Sequence, residues 1–155
     1  MSHVAEKVKA AFPEAAYGPP CSDGDIRRAN ADLGEPLPSV LQELYRAFNG
    51  FRGPTNAGFF WPLFASPKNP TGLVQMNRFL REYAHDPFPQ DIVSQCLFFG
   101  DDGIGAQWGF KKDLAGKIIK WDARWGKDFE VVGDGPLEAW VGEKENYDRI
   151  ERGES

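Results

Sequence analysis

Apolar side chains recur every three or four residues through the first half of the chain, which is the spacing of one face of an α-helix. Val4, Val8 and Phe12 predict a short helix that ends at Pro13. Residues 13–20 predict a loop, because they contain three prolines and a glycine. The chain therefore opens with a helix followed by an irregular segment.

The second predicted helix carries signals for both of its ends. Ser22 and Asp25 have the spacing of a capping box, in which each side chain satisfies a backbone N–H of the other residue. Gly34 predicts the end of the helix, because glycine adopts the left-handed conformation at low cost. The buried face is predicted at Ile26, Ala29 and Leu33.

Two further helices and a short strand follow. A helix is predicted to begin at Pro38 and to end at Asn49 and Gly50, and another to span residues 73–84. Between them, the apolar run at residues 58–61 predicts a first strand. The inward-facing positions of the two helices are Leu41, Leu44, Tyr45, Phe48, Leu73, Met76, Leu80 and Tyr83.

From residue 95 onward, short apolar runs alternate with glycine- and aspartate-rich turns. The connections are too short for parallel crossovers, so the strands are expected to form an antiparallel meander. A last helix near Pro136 is predicted to turn Leu137, Trp140 and Val141 inward. The predicted strands are residues 96–99, 106–110, 117–122 and a short one at 129–132. The expected fold class is α+β.

Composition and charge narrow the range of functions. A length of 155 residues with 41% hydrophobic residues fits one globular domain. The net charge of −5 and the scattered lysines and arginines argue against a nucleic-acid-binding protein. The N-terminus lacks the apolar region of a signal peptide, and no apolar run approaches the roughly 20 residues that span a membrane. We therefore expect a cytoplasmic protein without a membrane partner.

No catalytic or metal-binding motif is apparent in the sequence. Cys21 and Cys96 lack a CxxC spacing, and they are either one disulfide or, more simply, two thiols in a reducing compartment. His3 and His85 lack a nucleophile or ligand at a useful spacing. The loop at residues 100–105 lacks the lysine of a Walker motif and the distal glutamate of an EF-hand, so it predicts a hairpin turn. We expect no cofactor, no metal and no enzymatic activity.

The order of these signals resembles the SUKH superfamily, which groups fungal cell-wall assembly regulators with many bacterial immunity proteins. The resemblance covers about residues 22–142 of a single domain spanning residues 1–155. It is carried in the first half by Ile26, Leu33, Gly34, Leu37, Pro38, Leu41, Leu44, Tyr45, Phe48, Asn49 and Gly50. In the second half it is carried by residues 98–103, 108–110 and 116–118, by Trp121 and Asp122, and by residues 137–141.

The resemblance implies helices packed on one side of an antiparallel sheet, and binding rather than catalysis. It points to an immunity protein that neutralises a toxin domain, often a nuclease, by covering it. The alternative, which the fungal members of the superfamily suggest, is a regulatory scaffold that binds a host protein. The oligomeric state and the identity of the partner do not follow from the resemblance.

Acidic and aromatic residues in two loops of the meander form the candidate partner-binding surface. Tryptophan is frequent at binding hot spots, and carboxylates attract a basic partner. The alternative is that Trp121 packs in the core and Trp125 covers a loop. Trp61 and Trp108 lie within predicted strands and are expected in the core. A rival surface is the segment 51–61, with Phe51 and Arg52. The candidate residues are Asp101, Asp102, Trp121, Asp122, Trp125, Asp128 and Phe129.

Overall fold

The computed structural model describes residues 3–53, 57–82 and 89–153, and it confirms an α+β single domain. The helices are α1 (His3–Ala11), α2 (Asp23–Leu33), α3 (Ser39–Ala47), α4 (Leu73–Glu82), α5 (Gln90–Val93) and α6 (Pro136–Glu151). The strands are β1 (Ala16–Tyr17), β2 (Phe51–Arg52), β3 (Cys96–Asp101), β4 (Ala106–Lys111), β5 (Lys117–Asp122) and β6 (Glu130–Gly133).

The four longer strands form the predicted antiparallel meander, in the order β3-β4-β5-β6. β5 has the predicted bounds, whereas β3 continues two residues further, to Asp101, which pairs with Gln107 of β4. Ala106 at the start of β4 lies opposite Asp122 at the end of β5. The loops that follow β3 and β5 therefore leave the sheet at the same end.

Capping residues set the ends of α2 as predicted. The backbone N–H of Asp25 donates to Ser22 Oγ, and the N–H of Ser22 donates to Asp25 Oδ2, both at 3.0 Å. Gly34 ends the helix with φ 74°. In α3 the prediction was wrong by one residue, since Pro38 precedes the helix with an extended ψ of 143° and Ser39 is the first helical residue.

The core consists of two apolar clusters on opposite faces of the meander, because alternate residues of a strand point to opposite sides. Leu97 and Phe99 join the larger cluster, to which α1, α2, α3, α4 and α6 contribute. Cys96 and Phe98 join the smaller one, which α5 and the C-terminal half of α4 cover. The helical layer is thus mainly on one face, with one short helix on the other. The smaller cluster contains Trp61, Leu80, Ile92, Val93, Cys96, Phe98, Ile119 and Trp121.

The predicted strand at residues 58–61 is wrong. This segment lies along the edge of β3 and makes only separate hydrogen bonds to it, from Trp61 N to the Phe99 carbonyl at 2.9 Å and from Asp101 N to the Gly58 carbonyl at 2.8 Å. A strand does occur in the predicted loop 13–20, where β1 pairs with β2. Two-residue strands are too short to produce an alternating sequence pattern.

Asn77 of α4 completes the hydrogen bonding along the β3 edge. Its side chain is 1% exposed, and it donates from Nδ2 to the Phe98 carbonyl at 2.7 Å while Oδ1 accepts from Phe98 N at 2.8 Å. The edge of a sheet otherwise presents unpaired backbone groups to other chains. α4 therefore fixes β3 in place and closes this edge. Tyr83, predicted inward at the end of this helix, lies outside the described residues.

Candidate partner-binding surface

The structure brings the two predicted loops together at one end of the meander. The β3–β4 turn spans residues 102–105, and the β5–β6 connection spans residues 123–129. Arg124 Nη2 donates to the carbonyl of Ile104 at 3.1 Å and so joins the two loops directly. The sequence prediction that both loops lie on one side of the molecule agrees with this contact.

Asp101 lies at the end of β3, and its carboxylate accepts hydrogen bonds from three neighbours. Trp61 Nε1 donates to Oδ2 at 2.7 Å, while Gly103 N and Gly58 N donate to Oδ1 at 2.8 and 3.3 Å. These bonds tie the turn to the segment along the β3 edge. The carboxylate therefore holds local structure, and little of its hydrogen-bonding capacity is left for a partner.

The carboxylate of Asp102 is turned into the protein, with a side-chain exposure of 4%. Its Oδ1 accepts from the backbone N–H groups of Ile104 at 2.9 Å and Ala106 at 3.0 Å, which shapes the turn. Its Oδ2 lies 3.4 Å from Lys120 Nζ, which also donates to Glu143 of α6 at 3.1 Å. Burial alone would lower the pKa of Lys120, but Glu143 and Asp102 together raise it.

Asp122 is also directed inward, with a side-chain exposure of 4%, and it forms an ion pair with Arg124. Asp122 Oδ1 accepts from the Arg124 backbone N–H and from its Nε, both at 2.9 Å. The guanidinium of Arg124 lowers the pKa of Asp122 through these hydrogen bonds. The Arg124 side chain itself remains 74% exposed.

Trp121 and Phe129 support the loop from the core. Trp121 is 1% exposed, packs 5.7 Å from the Phe98 ring, and donates from Nε1 to the Gly126 carbonyl at 2.8 Å. Phe129 is half-buried against the smaller core cluster, with Lys111 Nζ 5.3 Å from its ring centroid. This placement removes Trp121 from direct contact with a partner.

Ile104 and Trp125 are the apolar side chains exposed at this end, with relative exposures of 79% and 36%. Asp128 is exposed as well, and it is accompanied by the exposed cations Arg124 and Lys127. We call these five residues the loop surface. Its charge is mixed rather than acidic, because the carboxylates of Asp102 and Asp122 are buried.

Sequence reasoning missed Ile104, although a signal was present. Ile104 stands alone between two turn glycines and belongs to no helical or strand pattern of apolar residues, so no such pattern predicts that its side chain is buried. The turn requires both glycines, since Gly103 has φ 82° and Gly105 has φ 117°, values that favour glycine strongly. The side chain between them is thereby held out toward solvent.

The rival surface, segment 51–61, does not expose the ring of Phe51 but lies beside a groove. Phe51 is buried, with 2% exposed, whereas Arg52 is exposed. The groove has a volume of about 390 Å³, and it reaches from Arg52 past Trp61 to Asp101. Asp101 accepts a hydrogen bond from Gly103, so the groove adjoins the turn that carries Ile104.

The described residues show few of the side-chain arrangements that a catalytic or metal site requires. No cluster of three or more metal-ligating side chains occurs in the part of the chain that the structure describes. Cys21 and Cys96 are both free, and burial raises the pKa of each thiol to about 12. His3 is exposed at the start of α1, and His85 lies outside the described residues. None of the described helices is both long enough and apolar enough to cross a bilayer.

Comparison with known families identifies a match. The model of the SMI1 / KNR4 family (SUKH-1) matches residues 20–139, from just before α2 into the first turn of α6. No curated protein matches the sequence at a significant level. The matched stretch includes the whole meander and α2 to α5. Since it covers most of the 155 residues, the chain belongs to the SMI1 / KNR4 family (SUKH-1) of the SUKH superfamily.

Proposed function

We propose that this protein is an immunity protein that neutralises a toxin domain by covering it. Membership of the SUKH superfamily supports an immunity or regulatory role, and proteins of this superfamily are generally non-catalytic. The observation that carries the proposal is the loop surface, where Ile104 and Trp125 are exposed on two turns joined by Arg124. Exposed apolar side chains on a rigid support favour binding to another protein.

In this proposal the seven predicted site residues divide into two groups. Trp125 and Asp128 contact the toxin directly, with Ile104 as a further anchor. The other residues position these contacts: Asp101, Asp102 and Asp122 hold the turns by hydrogen bonds, and Trp121 and Phe129 support the connection from the core. Preorganised contacts bind more tightly, because less conformational entropy is lost on association.

Charge has a long-range role in the proposed complex. A nuclease toxin holds a polyanion, so its cleft carries positive charge. The net charge of −5 attracts such a cleft over distance and raises the association rate. At the contact itself the mixed charges of Arg124, Lys127 and Asp128 set orientation, and the apolar anchors slow dissociation. Inhibition then requires no chemical step on this chain.

A regulatory protein-binding scaffold is the second candidate, because membership of the SMI1 / KNR4 family (SUKH-1) supports a regulatory role as well as an immunity role. The two roles differ in the partner. An immunity protein binds a toxin encoded beside it, inside the bacterial cell that makes both, whereas a scaffold binds a host protein.

Co-expression tests the immunity role. The toxin domain encoded by the neighbouring gene is induced in cells with and without this protein, and growth is followed. We expect the protein to restore growth and to co-purify with the toxin domain in a 1:1 complex. Growth arrest despite soluble expression of both proteins would contradict the immunity role.

A further inference from the structure

Two hollows flank the small β1–β2 sheet, outside the loop surface. The first, of about 390 Å³, is the groove that reaches Asp101, and the second, of about 540 Å³, lies between Phe12 and Gly53. Both hollows are lined by Ala16 and Arg52. The small, exposed Ala16 and the exposed Arg52 therefore lie at the boundary between them.

Arg52 places an uncompensated positive charge at the junction of the two hollows. Among residues 3–53, 57–82 and 89–153, no carboxylate forms an ion pair with its guanidinium, although Glu14 lines the second hollow. The other cation there, Lys144, donates to the Ala11 carbonyl at 2.7 Å and lies 5.6 Å from the Phe12 ring centroid, so its ammonium adds a second positive charge to the second hollow. The carboxylate of Asp101 in the first hollow is already hydrogen-bonded by Trp61, Gly58 and Gly103.

The lining of the first hollow fits a peptide backbone. Three glycines and several polar side chains line it, whereas the rings of Phe51, Phe60 and Trp61 are at most 2% exposed and form its floor. An extended chain points alternate side chains in the same direction, so one segment crossing Ala16 can place two side chains into adjacent hollows. The aromatic and polar residues lining the first hollow are Tyr17, Phe51, Phe60, Trp61, Asn49, Asn69 and Thr71.

We propose that the two hollows bind an extended segment of the protein partner that carries an aspartate or glutamate, whose carboxylate pairs with Arg52. A guanidinium binds a carboxylate through two parallel hydrogen bonds, which gives direction as well as charge. The inference rests on the proposed function only for the identity of the protein that contains the segment. Asp101 lines this groove and accepts a hydrogen bond from Gly103, the residue before Ile104 of the loop surface, so we expect one partner to contact both.

Selection of peptides tests the inference without knowledge of the partner. A phage-displayed library of random heptapeptides is panned against the full-length protein, against Arg52→Glu, and against Arg27→Glu. Arg27 is an exposed arginine of α2 that lines neither hollow, so its variant is matched in charge change. Circular dichroism establishes that both variants keep the fold.

We expect wild type and Arg27→Glu to enrich heptapeptides with a central aspartate or glutamate. A fluorescein-labelled synthetic copy of the most enriched peptide binds Arg52→Glu at least about ten-fold more weakly in fluorescence anisotropy, since a charge-assisted hydrogen bond is lost and a like charge is introduced. In wild type, the peptide shifts the amide resonances of Gly18, Gly50 and Gly53.

Enrichment of peptides without acidic residues, equal loss of binding in both variants, or amide shifts away from these glycines would overturn the inference. These outcomes would not contradict the proposed function, because toxin binding is measured separately, with variants of the loop surface. Conversely, peptide binding at Arg52 with no toxin binding at all would support the groove and count against the immunity role.

Discussion

Arg124 links the two turns of the loop surface by donating a hydrogen bond to the carbonyl of Ile104 at 3.1 Å. The same guanidinium is held by the buried carboxylate of Asp122, with Nε 2.9 Å from Oδ1. Nη2 donates both to Asp122 Oδ2 and to the Ile104 carbonyl, so the guanidinium bridges its own loop and the neighbouring one. The position of the exposed Ile104 therefore depends on a residue 20 positions later in the chain.

Replacement of Arg124 should loosen the β3–β4 turn. We expect Arg124→Ala to increase hydrogen exchange at the amides of Ile104 and Ala106 by about ten-fold, because local opening then breaks fewer contacts. Lys127→Ala is the control, since Lys127 is an exposed cation of the same connection whose ion pair with Asp91 is long, at 3.7 Å. Equal exchange in wild type and Arg124→Ala would show that the turn is ordered without the arginine.

The Asp122–Arg124 pair should make stability depend on pH in the acid range. The pKa of Asp122 is lowered by Arg124 from its ordinary value of 3.8, so the pair stabilises the fold above that value and ceases to do so as pH falls through the lowered pKa. We expect the stability difference between wild type and Asp122→Asn to shrink as urea unfolding is measured from about pH 6 down to about pH 3. The same shrinkage for Asp128→Asn would contradict this cause.

Much of the fold could be predicted because its signals are local. The capping box of Ser22 and Asp25, the stripe of α3 and the bounds of β5 each lie within a few adjacent residues. The segment 58–61 was mistaken for a strand, because its apolar run reflects burial in the core rather than pairing in a ladder. Its backbone hydrogen bonds go to Phe99 and Asp101 of β3 and, through an isolated bridge at Phe60, to Phe51 of β2, and no local pattern encodes these partners.

The candidate site was predicted less completely, for a related reason. The sequence placed carboxylates in turns, but whether a turn carboxylate faces solvent or its own backbone depends on the local geometry. Asp102 accepts from the N–H groups of Ile104 and Ala106, as aspartates in turns often do. These bonds turn the carboxylate inward, away from the surface where it was expected. Trp125 and Asp128 are the predicted residues that remain exposed.

Asn77 should be one of the most sensitive polar positions. Asn77→Ala leaves the N–H and the carbonyl of Phe98 without their partner inside the protein, and each unsatisfied group costs about 1–3 kcal/mol. For the two groups together we therefore expect a loss of about 2–6 kcal/mol in chemical denaturation. Arg78→Ala is the control, because Arg78 is an exposed residue of the same helix. A loss of less than about half a kilocalorie for Asn77→Ala would mean that water replaces the amide.

Two glycines should respond to alanine with opposite signs. A Cβ at Gly100 would lie 1.9 Å from the Phe59 carbonyl oxygen, so the segment along the β3 edge must move, and we expect a loss of at least about 1–3 kcal/mol. A Cβ at Gly142 in α6 meets nothing within 4 Å, and there alanine should stabilise the helix by about 0.5–1 kcal/mol. Thermal unfolding of Gly100→Ala and Gly142→Ala distinguishes the two, and similar midpoints would contradict the close approach at Gly100.

The affinity for the neighbouring toxin domain, measured by calorimetry with variants of the loop surface, tests the central claim most directly. Ile104→Ser and Trp125→Ala remove the exposed anchors, and Ile150→Ser removes an exposed isoleucine from α6 as a matched control. We predict that the double variant binds at least about 30-fold more weakly, as expected for the loss of a hot spot worth about 2 kcal/mol or more, while Ile150→Ser binds like wild type. Unchanged affinity of the folded double variant would show that the toxin is covered by another surface.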